Sequence, residues 1–222
     1  MSKKVITLVT LGVVALVAIA VAVAWLVPVF KVNSIEFTGA VRTDTEVAEE
    51  VSGIGSGDNL LRIDVAGAAQ AIADLPWVKS VTVNRNPPSS VEIILTEREA
   101  VVFVSRADGD HIIDSDGLPI IIGEPPFGTV EVTGTSEDDP DVLPAVIDIV
   151  TTLGDYDPAL KDAVASIDAP DQFDVMLRLT DGREIYWGSS EDNYAKAVAM
   201  STVINRGGQQ WNISSPSMVT VR

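Results

Sequence analysis

The sequence predicts an α+β protein: an N-terminal transmembrane helix, a small unit of order strand-helix-helix-strand-strand, and a larger mixed-sheet domain with flanking helices. Three features predict it. The run from Val5 to Phe30 carries no charged side chain. From Lys31 to Val102 the apolar pattern changes from strand to helix and back to strand. Beyond Phe103, apolar alternation is punctuated by Asp108-Gly109, Asp116-Gly117 and Asp181-Gly182, which reads as strands joined by tight turns. The expected organisation is 1–4 as a cytoplasmic tail, 5–30 as the span, 31–102 as the first folded unit and 103–222 as the second.

Taken in order, the Val5–Phe30 run as a helix reaches roughly 39 Å, longer than the ~30 Å hydrocarbon core of a bilayer. Lys3 and Lys4 precede it and favour a cytoplasmic start, Trp25 suits the far interface, and Pro28 suits a helix end. Ala20-Val21-Ala22 and Ala22-Val23-Ala24 fit a small-x-small cleavage pattern, but the run exceeds the ~7–15 residues of a cleaved signal's apolar core. The sequence favours a retained anchor, and either reading exports the chain beyond Phe30.

In the first unit, Val32–Thr38 reads as a short strand stopped at Gly39. Thr43-Asp44-Thr45-Glu46 has capping-box spacing and starts a helix to about Val51. Gly53, Gly55 and Gly57 then form a flexible connection; without a Walker lysine they make no phosphate loop. A second helix fits Val65–Ala73, capped by Asp64 and broken at Leu75-Pro76-Trp77. Strands Val78–Asn84 and Val91–Glu97 come next, with Val91, Ile93 and Leu95 on one face and Arg85–Ser90 as the loop between them.

In the second unit, Ile112-Ile113 and Leu118–Ile122 are strand-like and the Gly134–Asp141 stretch is an acidic loop. Val142–Leu153 reads as a helix with Pro140 near its start and Gly154 just past its end. Strand resumes at Ile167. Phe173, Val175, Leu177 and Leu179 alternate with polar neighbours, and Asp181-Gly182 turns the chain into Arg183–Trp187. Glu191–Ile204 is a helix with Ala195, Val198, Ala199, Thr202 and Val203 as its expected packing stripe, ended by Gly207-Gly208. Trp211–Ser214 and Met218–Arg222 are the last expected strands. No internal repeat or low-complexity tract is present.

The chain has 15 basic and 32 acidic residues, a formal net charge of −17. Both lysines before the span are on its cytoplasmic side, so the exported part is more acidic still. Nucleic-acid binding needs clustered Lys and Arg on phosphates, and this composition argues against it. There is no cysteine, which removes disulfides, thiolate metal sites and thiol nucleophiles together. His111 is the single histidine, so a two-histidine metal site from this chain alone is excluded; it reads as an ordinary strand or turn residue. A calcium loop opening at Asp114-Ser115-Asp116-Gly117 would need Gly at 119 and Glu at 125, where the chain has Pro119 and Pro125. Neither a metal nor a cofactor is expected.

Several local patterns then align in order behind the span. Ile35-Glu36-Phe37-Thr38-Gly39, Leu75-Pro76-Trp77-Val78 with Val81-Thr82-Val83, the Arg85–Pro88 turn, and Val91–Glu97 continued by Arg98-Glu99-Ala100 resemble a POTRA domain of the FtsQ/DivIB bacterial cell-division family. Asp114–Gly117, Leu179–Arg183, Trp187-Gly188, Lys196-Ala197, and Trp211–Ser214 with Pro216 resemble that family's β-domain. The resemblance covers essentially the whole chain; no single motif is specific, and their order is what carries it. A four-residue cytoplasmic tail is short for the family and leaves little room for cytosolic binding.

The resemblance implies a non-enzymatic divisome scaffold in the bacterial inner membrane, single-pass, with the bulk of the chain outside and enriched at the division septum. It implies binding of the FtsB/FtsL pair by strand addition at the C-terminal edge, linking early and late division proteins during septum formation. The positions concerned are Met218, Val219 and Val221 on the last strand and Lys196 on the adjacent helix; Trp211 and Ile213 either contribute or only pack the core. Other divisome proteins are expected through the POTRA domain. The alternatives are a POTRA-containing transport or outer-membrane assembly component, which would call for repeated POTRA units or a barrel, and an exported cell-wall hydrolase, for which no acid/base or nucleophile spacing is evident.

Overall fold

The computed structural model describes residues 3–26, 30–135 and 139–221. The expected helix end at Pro28, the Glu137-Asp138 part of the acidic loop, and Arg222 lie outside them. The chain divides into two compact units, 1–97 and 98–222.

The first unit opens with α1, Lys3–Leu26, a helix of 24 residues. Leu8, Leu11, Val13, Val14, Leu16 and Val17, spread around its circumference, are all exposed. Among the residues whose side chains are described, no helix is long and apolar enough to cross a membrane. Next come β1 (Ser34–Thr38), α2 (Thr45–Ser52), α3 (Val65–Ala73), β2 (Val78–Asn86) and β3 (Ser90–Glu97). The sheet order is β1-β3-β2, with β1 parallel and β2 antiparallel to the central β3. This is the β-α-α-β-β order read from the sequence. Val91, Ile93 and Leu95 form the buried face of β3 and join Val32, Leu60, Ile72 and Val78 in one core.

The start of α2 differs from expectation. Asp44, not Thr43, is its N-cap, its carboxylate accepting from the Glu46 N–H. Thr43 is drawn elsewhere: its N–H, with those of Val41 and Arg42, donates to the Glu97 carboxylate at 2.7–3.0 Å. Gly53 ends α2 at φ 66, a left-handed conformation for which glycine carries no Cβ penalty.

The second unit contains β4 (Ala100–Arg106), β5 (Gly109–Asp114), β6 (Pro119–Ile122), β7 (Val130–Thr133), α4 (Val142–Tyr156), α5 (Pro158–Asp162), β8 (Val164–Asp171), β9 (Asp174–Leu179), β10 (Glu184–Gly188), α6 (Asn193–Val203), β11 (Gln210–Asn212) and β12 (Thr220–Val221). All the strands form one sheet, in the order β12-β11-β10-β9-β8-β7-β4-β5-β6. It is mixed: β4–β7, β7–β8 and β10–β11 are parallel and the rest antiparallel. The unit begins at Arg98 rather than Phe103 because β4 already starts at Ala100 and buries Val101 and Val102 in this core.

Burial alternates along β8, β9 and β10. Ile167, Leu177, Ile185 and Trp187 pack with the buried side of α4 and α6 in a single cluster, while Asp168, Met176, Arg178, Glu184 and Tyr186 occupy the other face. A sheet covered on one side only shows this alternation. Helix α4 runs through Gly154 to Tyr156, past the expected end. The stop is set by Pro158, which disfavours helical geometry in the residue before it, and Asp157 is extended at φ −159, ψ 111. Phe173, expected in the alternating strand, sits in the β8–β9 turn and is exposed.

A candidate partner-binding edge

One end of the large sheet is its C-terminal strand. β12 pairs with β11 alone, Trp211 opposite Val221 and Asn212 opposite Thr220. Its outer edge therefore has no strand partner among the described residues, and its unpaired N–H and C=O groups are a template for a further strand. The strand is shorter than expected. Met218 closes a turn, its N–H donating to the Ser215 carbonyl at 2.8 Å, and only Thr220 and Val221 are in the ladder. Met218 is 72% exposed and Val221 49%, while Val219 is half-buried against the core.

Each face beside this edge has a depression. On the open face, Met176, Tyr186, Asn212 and Thr220 border a recess of about 250 Å³. Burial, with Asp174 close by, pushes the Tyr186 phenol above its usual pKa, so it remains a neutral hydrogen-bonding group. On the helical face, α6 and the chain between Trp211 and Val219 border a groove of about 380 Å³. Side chains of a strand point alternately to the two faces, so a strand added at β12 would meet a receptor on both.

The expected site residues separate into two groups. Met218, Val219 and Val221 lie at the edge. Lys196, Trp211 and Ile213 do not face solvent: they are 2%, 8% and 0% exposed. Lys196 Nζ donates to the Ser189 carbonyl at 2.8 Å and lies 6.0 Å from the Trp187 ring centre. Burial pushes its ammonium below the usual lysine range, against the opposing pull of Asp192 and Glu191. In the free chain Lys196 fastens the Ser189–Asp192 turn, where Asp192 holds a left-handed φ of 54.

The stripe on α6 is met only in part: Ala199 and Val203 are buried as expected, and the other three members are not. Ala195, Val198 and Thr202 are exposed, while Asn193, Lys196, Ala197, Met200 and Val203 face inward. Asn193 is buried because it bridges two groups: its amide oxygen accepts from Trp187 Nε1 at 2.8 Å and its Nδ2 donates to Asp148 at 2.6 Å. The outward face, with Tyr194 and Val198 exposed, borders the groove beside β12 and was missed as a surface. The spacing of Asn193, Lys196, Ala197, Met200 and Val203 carried the signal, but two polar members disguised it.

The other expected chemistry is structural. Asp114 is buried; its Oδ2 accepts from Arg98 at 2.6 Å and its Oδ1 from the Asp116 and Leu118 N–H groups. His111 Nε2 lies 3.0 Å from Asp108 Oδ1, and that hydrogen bond holds the Asp108 carboxyl below its usual pKa.

A β-α-α-β-β unit followed by a one-face-covered mixed sheet with a free C-terminal strand defines a two-part protein of POTRA domain and β-domain. Residues 30–98 match the family model described as POTRA domain, FtsQ-type. The chain is 59% identical over its whole length to the cell division protein FtsQ of Corynebacterium glutamicum, and covers all of that protein. It is 33% identical over 220 residues to FtsQ of Mycobacteroides abscessus, spanning 97% of this chain and 69% of the relative, and 28% identical over 213 residues to FtsQ of Mycobacterium tuberculosis. The chain belongs to the FtsQ family of cell-division proteins.

Proposed function

We propose that this chain is a non-enzymatic, membrane-anchored scaffold of the division machinery that captures the FtsB/FtsL pair by adding a partner strand to β12. The free outer edge of β12 at the end of a nine-stranded sheet carries this reading. Met218, Val219 and Val221 supply the contact side chains. Trp211 and Ile213 act from beneath, holding β11 in register under the edge. Lys196 acts at one remove by fixing the turn that starts α6. The anchor is the uncharged Val5–Phe30 run, supported by the length of α1, about 36 Å at 1.5 Å per residue, and by its apolar exposure on all sides. Anchoring confines the domain to two dimensions and raises the effective concentration of a membrane-bound partner. Other division proteins are assigned to the POTRA unit.

The full chain, co-expressed with FtsB and FtsL and recovered from detergent-solubilised membranes, tests this. The wild type should fractionate with the membrane and retain the pair. A chain lacking Val219–Arg222 should lose the pair while its β-domain unfolds at nearly the same temperature. Equal retention by the truncated chain sinks strand addition at β12.

A further inference from the structure

At the junction of α2 and α3 the first unit has a recess of about 480 Å³, lined by Asp58, Asn59, Arg62 and Asp64 among others. It lies beside the end of α1. Asn59 Nδ2 donates to the Trp25 carbonyl at 3.2 Å, in the last turn of α1, where helix carbonyls lack intrahelical partners. The chain that leaves α1 is tied to the same stretch. The Leu60 N–H donates to the Phe30 carbonyl, the Val32 N–H to the Asp58 carbonyl and the Gly57 N–H to the Val32 carbonyl, at 2.8–2.9 Å. Lys31 stands opposite Asn59 in an antiparallel bridge, and Val32 is fully buried.

The tether is therefore short. Leu26 and Phe30 are four residues apart, which the chain spans in at most about 14 Å. The headgroup layer outside the hydrocarbon core is about 5–7 Å thick on each side. With α1 as the anchor and Trp25 at the interface, the bond from Asn59 to Trp25 holds the recess at the depth of the headgroups.

The charges at this place are balanced. Asp58 and Asp64 each use a carboxylate oxygen on a backbone N–H, of Gly55 and of Gly67. Arg62 is exposed, and its guanidinium makes no hydrogen bond or ion pair among the described residues. Lys31 and Arg62 thus face two carboxylates, in a chain with 32 acidic and 15 basic residues. A purely anionic headgroup would meet Asp58 and Asp64 as like charges. A headgroup carrying both signs finds a partner for each.

We infer that this recess binds the headgroup of a zwitterionic phospholipid, its phosphate on Arg62 and its ammonium on Asp58 and Asp64. This rests on the anchor reading of α1 and adds the lipid chemistry that the surface beside the anchor selects.

The test uses the full-length chain in nanodiscs. It contains no cysteine, so Ser56→Cys, in the loop next to the recess, takes a single fluorophore. A nitroxide on the lipid headgroup should quench that fluorophore; absence of quenching places the recess outside the headgroup layer and overturns the inference. Native mass spectrometry of the detergent-solubilised full chain, with equimolar phosphatidylethanolamine and phosphatidylglycerol, then reads the chemistry. The wild type should retain phosphatidylethanolamine in several-fold preference. Arg62→Gln should weaken that retention roughly tenfold, through loss of a charge-assisted contact. Its unfolding temperature should match the wild type, because the guanidinium holds nothing in the free chain. Equal retention by Arg62→Gln, or a wild-type preference for phosphatidylglycerol, refutes the inference. A chain that does not enter nanodiscs overturns the anchor reading and this one with it, whereas entry without quenching overturns this one alone.

Discussion

The nine-stranded sheet ends in two unlike strands. At one end β6 begins with Pro119, which has no N–H to offer, and its pairing with β5 is broken by a register shift at Ile112/Ile113. The preceding turn is pinned by Asp114, whose carboxylate binds Arg98 and two turn N–H groups. Both Pro and register irregularity are devices that blunt a sheet edge. At the other end β12 has neither, and it is flanked on both faces by depressions. Exposed apolar residues do not distinguish the two: Ile121 and Ile122 on β6 are as open as Val221 on β12. What differs is the backbone and its surroundings, and those decide whether an edge can accept a strand.

The largest way to disturb this contrast is to unpin β6. Asp114→Ala leaves the Arg98 guanidinium and two turn N–H groups without their acceptor and should cost about 2–4 kcal/mol in urea unfolding. It should also loosen β6 and promote self-association in sedimentation, with partner capture at β12 retained by the folded fraction. Loss of capture without loss of stability would tie the two ends together and break the comparison.

Lys196→Met is the intermediate case. Replacing a buried cation by an apolar side chain of similar length should change stability by no more than about 1 kcal/mol near neutral pH. Its pH dependence is the sharper readout. Lys196 is held below its ordinary value of 10.5 in the folded state, so there the unfolded chain binds more protons than the folded one. Wild-type stability should therefore rise, relative to the variant, as pH climbs toward 10.5. Parallel curves would show that Lys196 titrates as if exposed.

The smallest effect is expected from Ile121→Lys on β6. A surface substitution there should lie within about 0.5 kcal/mol of the wild type and leave FtsB–FtsL retention unchanged. A clear loss of retention would mean that β6 is the working edge.

The POTRA-type unit was the more legible half. Its helices are announced by local caps, Asp64 accepting from the Gly67 N–H as the sequence suggests, and β3 shows its buried face by strict alternation of Val91, Ile93 and Leu95. One local reading failed through a distant residue: Glu97 takes the Thr43 N–H from 54 positions away and leaves Asp44 to cap α2. Burial alone would raise the Glu97 carboxyl, yet donation from Thr43, Val41 and Arg42 holds it below its ordinary value. In the β-domain the strands after Ile167 and the Asp181-Gly182 hairpin were readable. β7 and α5 were not, because each is only four or five residues long and carries too few residues to display a period.

The sequence alone determined the order of elements, the uncharged run at the start, the absence of thiol chemistry and the family resemblance, because these rest on local periodicity, composition and motif order. Tertiary structure decided which face of α6 is buried. Asn193 and Lys196 look like surface residues until Trp187, Asp148 and the Ser189 carbonyl supply the partners that make their burial tolerable. It also decided which strands end the sheet, since β12 is an edge only because β11 pairs in parallel with β10 and nothing described pairs beyond Val221. Burial of a polar side chain and exposure of a strand edge both depend on groups distant in the chain, and local pattern carries no record of them.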